Sequence, residues 1–224
     1  MITAKALDNH LDQLFALLER LHFALASAGI EYRVIGGLAV FFQVSARDHN
    51  AARVTRDIDI AVDRGDLDRI VRAAESFGFR HRDVAGIDML VDAESPKANG
   101  AVHLVFIGEK VRPGDLSAIP GFSEPTKTIE GFLLAPVPDL VRMKLTSFRL
   151  KDKTHIIDMD SVGLITPEIE AGLPGPLRER LQQVRAEETR RLDYSSKASA
   201  SGTAISGLLA RKTPSRTSCI SPGV

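Results

Sequence analysis

The sequence predicts an α/β fold in which a small mixed, twisted sheet is flanked by helices and followed by a helical C-terminal region. Three observations carry that reading. Residues 6–27 place Leu11, Leu14, Phe15, Leu18, Leu21 and Leu25 at i, i+3, i+4 and i+7 spacing, the stripe of an amphipathic helix. Short apolar runs at 31–35, 57–62, 79–91 and 101–107 read as strands, with helical stripes between the first and second and between the second and third. From Pro138 to about Tyr194 only helical periodicity remains. The division expected is 1–136 for the α/β domain, 137–194 for the helical region, and 195–224 for a tail.

In chain order, Gly29 stops the first helix, because a glycine past the last turn adopts the left-handed conformation without strain. The strand Glu31–Ile35 runs into Gly36-Gly37, after which Leu38, Ala39, Phe41 and Phe42 continue as a short helix to about Ser45. Bare backbone N–H groups at such a helix start can face an anion, although a Gly-Gly bend also serves as a plain tight turn. The loop 46–54 is polar, and Arg53, with Arg56 just beyond it, is a candidate for phosphate or base contact, solvation being the other reading.

The run Thr55-Arg56-Asp57-Ile58-Asp59-Ile60-Ala61-Val62 follows. In an extended chain side chains alternate faces, so Asp57 and Asp59 point one way while Ile58 and Ile60 enter the core. Two carboxylates on one face repel. Water relieves the repulsion, and so does a hard cation: Mg²⁺ takes one or two carboxylates and completes its shell with substrate phosphate oxygens.

Asp63 or Asp66 then caps a helix whose inner face is Leu67, Ile70, Val71 and Ala74, and Phe77-Gly78 ends it. Phe79–Val84 and Ile87–Val91 read as a hairpin around Ala85-Gly86, and 101–107 as a further strand carrying His103. Residues 109–128, rich in Pro and Gly, form a long connection of the kind that often acts as a lid or binding loop. Phe132–Ala135 is a short closing strand. Pro138-Asp139 opens a helix with Leu140, Val141, Leu145 and Phe148 inside, carrying Lys144 and leading to Arg149, Lys151-Asp152, His155 and Asp158. Thr166-Pro167-Glu168 opens another, and 176–194 is a charged last helix with Leu177, Leu181 and Val184 inward. The final 30 residues hold eight serines and no acidic residue, a composition expected to be disordered.

The order of Gly36-Gly37, helix, loop and Arg53-x-Thr55-x-Asp57-x-Asp59 resembles the nucleotidyltransferase superfamily that includes DNA polymerase β. It is most similar there to the small bacterial nucleotidyltransferases of the abortive-infection toxin type. Lys144 followed by Arg149-Leu150-Lys151-Asp152, about 90 residues on, is similar to the Lys and Arg-x-Lys-Asp of the same group. The resemblance implies a sheet of the nucleotidyltransferase type and transfer of a nucleoside monophosphate from an NTP to an acceptor, with two Mg²⁺ ions held by Asp57 and Asp59. It also implies nucleotide contacts at Gly36, Gly37, Arg56 and Arg149, a catalytic part for Lys144 and Asp152, and a possible antitoxin partner. Asp152 can orient Arg149 or Lys144 or activate an acceptor hydroxyl. A solvated charged helix face is the bland alternative for all of them.

The pattern departs from the family at His103, which stands where a third carboxylate is expected. Three readings are open. Neutral imidazole is a poor Mg²⁺ ligand, so His103 can act as general base or hold substrate. Asp88, on the preceding strand and expected on the same face, can supply the missing metal oxygen. Or His103 is a core histidine with a satisfied hydrogen bond.

Composition narrows the partners less than the motifs do. Lys and Arg total 29, equal to Asp and Glu, so no overall basic field argues for bulk nucleic-acid binding. The single cysteine, Cys219, excludes a disulfide framework within the chain and a cysteine-rich zinc site. Neither a secretory leader nor an uninterrupted apolar stretch of membrane-spanning length is present, and a cytoplasmic enzyme is expected. The acceptor stays open among tRNA, protein and small molecule. A catalytically degenerate nucleotide- or partner-binding module is the alternative function, and a scaffold the third.

Overall fold

The computed structural model describes residues 4–94, 101–128 and 130–209, with side chains over 11–94, 101–128 and 130–197. A single mixed sheet of seven strands carries the site. In space its order is β3 (Phe79–Val84), β4 (Ile87–Asp92), β5 (Val102–Phe106), β2 (Ile58–Val62), β1 (Arg33–Ile35), β7 (Leu133–Leu134) and β6 (Thr126–Lys127). β2 and β5 are parallel, as are β1 and β7, and the other neighbours are antiparallel.

The period-two reading of the strands decides which side chains meet. Val34, Ile58, Ile60, Val102, Leu104 and Leu90 are buried on one face, and the buried leucines of helix α1 (Ala4–Ser27), Leu14, Leu18, Leu21 and Leu25, together with Ile70 and Ala74 of α3 (Leu67–Glu75), complete that core. Each such side chain contributes about 1.5–3 kcal/mol relative to exposure. Ile35, Asp59, His103 and Met89 face the other way, because Ile35 pairs with Asp59, Asp59 with His103, and His103 with Met89.

Three helices bound that second face or its end. α2 (Gly36–Ser45) leaves β1 directly, and α4 (Val137–Ser147) and α5 (Leu150–Ser161) meet at a sharp corner where Phe148 takes the left-handed conformation at φ 49°. The expected single helical pattern from Pro138 is therefore broken in two. α6 (Pro167–Ala171) starts at Thr166, whose hydroxyl accepts the Ile169 N–H. The connection 109–128 is not a free flap: the buried Arg33 donates to the Ser123 carbonyl at 2.8 and 3.1 Å and lies over the Phe122 ring.

The chain through Gln182 forms one compact unit, so the helices after residue 136 belong with the sheet rather than apart from it. A second unit begins at Gln183. α7 runs from Gly175 to Leu209, past the expected end at Tyr194 and into the stretch expected to be disordered. The remainder of the expected tail, 210–224, lies outside the described residues. No helix among the described residues is long and apolar enough to cross a membrane.

Candidate active site

The double-glycine turn and the acidic strand are in direct contact. Gly36 has φ +71°, and a Cβ placed there would lie 2.0 Å from Oδ2 of Asp59; one at Gly37 would lie 2.7 Å from Oγ1 of Thr55. Only glycine lets the backbone approach this closely and adopt that φ. α2 starts at this bend with no side-chain cap among the described residues, so its first N–H groups are turned toward the same place as Asp59.

Asp57 sits one residue before β2 and Asp59 within it. Asp57 and Asp59 are both partly exposed on either side of the fully buried Ile58, the alternation an extended segment gives, and the charge of each raises the His103 pKa. His103 Nδ1 is 3.0 Å from Oδ1 of Asp59. A carboxylate only accepts, so Nδ1 carries the hydrogen and Nε2 holds the lone pair in the neutral ring. That bond, against the opposing effect of burial, raises the His103 pKa. With its side chain 27 % exposed, His103 is not enclosed in the core.

The α4–α5 corner supplies the facing wall. Asp152 is fully enclosed, accepting from Arg149 Nε at 2.7 Å, Ser147 Oγ at 2.8 Å and the Arg149 N–H at 3.2 Å, with Lys144 Nζ 3.5 Å away. Burial alone pushes the Asp152 carboxyl up, but Arg149, Lys144 and Ser147 together outweigh it and hold it below its usual value. Burial pushes the Lys144 ammonium down, opposed by Asp152 and Asp59. Asp152 raises the Arg149 pKa, and Asp59 adds to that effect. The two cations thus lie within electrostatic reach of Asp59. Asp152, sealed from solvent, orients them and has no access to an acceptor hydroxyl.

His155 of α5 closes the floor: its Cε1 would be 3.5 Å from a Cβ at Gly37, and burial, then Lys144, pushes its pKa down to about 4. Among the described residues its buried Nδ1 has no partner. Asp158 is occupied with Arg53, whose Nε donates to its carboxylate at 2.9 Å, so this end of the Arg53 guanidinium is tied to α5. Arg56 is exposed and, among the described residues, unpaired.

Asp88 is not a metal ligand of this site. The residue of β4 opposite His103 is Met89, so Asp88 projects from the other face, where it is paired with His81 at 2.7 Å and with Arg64 at 3.7 Å. A shift of one residue reverses the face, and the position of the hairpin register was not fixed by the apolar pattern. Lys151 was missed as an individual contact: it is exposed, and its charge reaches His103, Lys144 and His155. Its signal was the Arg-x-Lys-Asp spacing itself.

No protein-family model matches the chain, and no curated protein matches it. Among solved structures, an antigenic nucleotidyltransferase-like protein from Paracoccidioides brasiliensis is similar at 20 % identity and TM-score 0.47, over 83 % of this chain and 91 % of that one. The antibiotic-resistance factor ANT(2'')-Ia is similar at 13 % identity and TM-score 0.39, over 88 % and 99 %. JHP933 from Helicobacter pylori is similar at 14 % identity and TM-score 0.39, also over 88 % and 99 %.

Proposed function

We propose that this site transfers a nucleoside monophosphate from an NTP to an acceptor hydroxyl. The supporting observation is the contact between Gly36 and Asp59, which puts the uncapped start of α2 beside the Asp59 carboxylate. A carboxylate pair next to a polyphosphate is stable only with a cation between them. Asp57 and Asp59 fit Mg²⁺, which takes oxygen donors and leaves positions for phosphate. Among the described residues no cluster of three His, Cys, Asp or Glu side chains forms a ready-made cage, and this ion needs none. When bound, Mg²⁺ in the two-ion arrangement neutralises the phosphates and favours ionisation of the acceptor.

The chain's own residues do the rest. The backbone of Gly36 and Gly37 receives phosphate oxygens. Lys144 and Arg149, held in place by Asp152, supply positive charge to the triphosphate from the opposite wall, and Arg56 adds a contact from the loop. His103, with Nδ1–H fixed on Asp59, presents Nε2 to hold the acceptor hydroxyl and take its proton. We place this chemistry in the cytoplasm, with a toxin role and an antitoxin partner as the extension that the Arg-x-Lys-Asp similarity supports.

Pyrophosphate release from each NTP with Mg²⁺ and cell extract tests the reading. The wild type is expected to release it, and Asp57→Ala/Asp59→Ala to lose at least about a hundredfold in rate. His103 in place of a carboxylate favours a second reading, a binding module without turnover: Mg²⁺-dependent NTP binding with no pyrophosphate from any acceptor would establish it.

A further inference from the structure

The α4–α5 corner that carries Lys144 and Arg149 is held from outside its own two helices. A helix ends in carbonyls without intrahelical partners. At the end of α4 the Phe148 N–H takes the Lys144 carbonyl at 3.0 Å, and the next two, of Leu145 and Thr146, both accept from Nη1 of Arg180 at 2.7 and 2.8 Å. The same guanidinium lies over the Phe148 ring, 4.7 Å from its centroid, and brings positive charge to the negative end of the helix dipole. Phe148 needs this support. Apart from Ala85 in the β3–β4 turn it is, among the described residues, the one non-glycine residue at positive φ, a conformation that strains a bulky side chain. Arg180 itself stands in the second turn of α7, inside the compact unit that ends at Gln182. Leu177 and Leu181, 2 % and 0 % exposed, anchor that turn in the core. The neighbouring Arg178 reaches elsewhere, donating to the carbonyls of Glu170, Ala171 and Leu173 at 3.3, 2.9 and 3.0 Å.

From this arrangement we infer that Arg180 is a positioning residue of the active site: it touches no substrate and fixes the corner angle at which Lys144 and Arg149 both serve the nucleotide. The inference rests on the nucleotide reading of the Asp57–Asp59 site and adds a residue that acts on it through others. Lys144 lies in the last turn of α4 and Asp152 in the first turn of α5, so their 3.5 Å approach spans the corner. Arg149 opens α5, with its N–H and its Nε both on the Asp152 carboxylate. Neither helix alone sets the angle between them. A rotation at Phe148 would carry Asp152 and Arg149 away from Lys144 as one body and separate the two cations. Arg180 opposes that rotation twice, through two carbonyls on the α4 side and through the ring at the pivot. Lysine at this position would keep the charge but not the flat face that covers the ring. A cation that merely stabilised the end of α4 would change the stability of the fold and leave nucleotide affinity of the folded protein alone, and the two roles are separable on that ground.

Isothermal titration of NTP with Mg²⁺ tests the role on the full chain as wild type, Arg180→Gln, Arg180→Lys and Arg178→Gln, at a temperature where melts show all four folded. Arg178→Gln is the control, because it removes hydrogen bonds of α7 without touching the corner. Kd should rise about tenfold in Arg180→Gln, the size of an ordinary coupling between contacting residues, and about threefold in Arg180→Lys. It should be unchanged in Arg178→Gln. In an Arg149→Gln background, where one of the two positioned cations is already gone, Arg180→Gln should cost only about threefold more. Where Arg180→Gln melts too low to titrate, Arg180→Lys takes its place against the same control. Wild-type affinity in the Arg180 variants, an equal loss in Arg178→Gln, or the full tenfold loss in the Arg149→Gln background would overturn the positioning role and leave the nucleotide reading standing. A wild type that binds no NTP would instead reject the nucleotide reading, and the role with it.

Discussion

At the scale of single residues, Gly36 is the position with least freedom. A methyl group there meets the Asp59 carboxylate and is strained at φ +71° besides, so Gly36→Ala should cost about 1–3 kcal/mol and displace Asp59. Thermal melts should show a fall of several degrees, together with loss of Mg²⁺-dependent NTP binding. His155 makes a pH prediction. The unfolded chain protonates its imidazole near 6.5, whereas burial and Lys144 keep the folded one neutral until about pH 4. Stability is therefore fully present above 6.5 and falls between 6.5 and 4, by up to about 3 kcal/mol. His155→Gln should remove that part of the slope in denaturant titrations run across this window. The sequence made Asp57, Asp59 and the glycine pair legible, because period-two alternation and a missing Cβ are local rules. Asp88 was not legible: its face depends on which residue of β4 lies opposite His103, a non-local register that a two-residue hairpin turn and flanking polar residues do not announce.

At the scale of elements, the α4–α5 corner is the device that brings positive charge to the acids. Phe148 turns the chain in the left-handed conformation, with the cations of Lys153 and Arg180 over its ring at 4.6 and 4.7 Å, and Asp152 then folds back onto Lys144. Asp152→Ala would leave a buried ammonium and a guanidinium without their carboxylate. The expected loss is about 3–5 kcal/mol. At that size the melting temperature should drop by roughly 10 °C, and the remaining folded fraction should bind NTP weakly, because both cations lose their orientation. The sequence showed the Lys…Arg-x-Lys-Asp spacing but not the break between helices, since Phe148 is apolar, fits the helical stripe, and gives no glycine or proline signal. The same limit applied to β6, two residues long inside the connection read as irregular, whereas β7 falls within the expected closing strand Phe132–Ala135.

At the scale of the whole molecule, the sheet and the helices through Gln182 form one compact unit, and the site lies entirely within it. A chain ending at residue 194 is accordingly expected to keep the melting temperature and NTP binding of the full chain, which calorimetry on the two proteins checks. The fold class was legible because helical and strand periods alternate cleanly along 6–107, and the unit boundary was not, because packing of one helix on another leaves no mark in composition. The most direct test of the central idea is isothermal titration of NTP with and without Mg²⁺, on the wild type and on Asp57→Asn/Asp59→Asn. Binding that requires the cation in the wild type and loses that requirement along with its affinity in the variant is the predicted result; equal affinity in both proteins, or in the wild type with and without Mg²⁺, would contradict the claim that those two carboxylates share a metal with the nucleotide at the glycine bend.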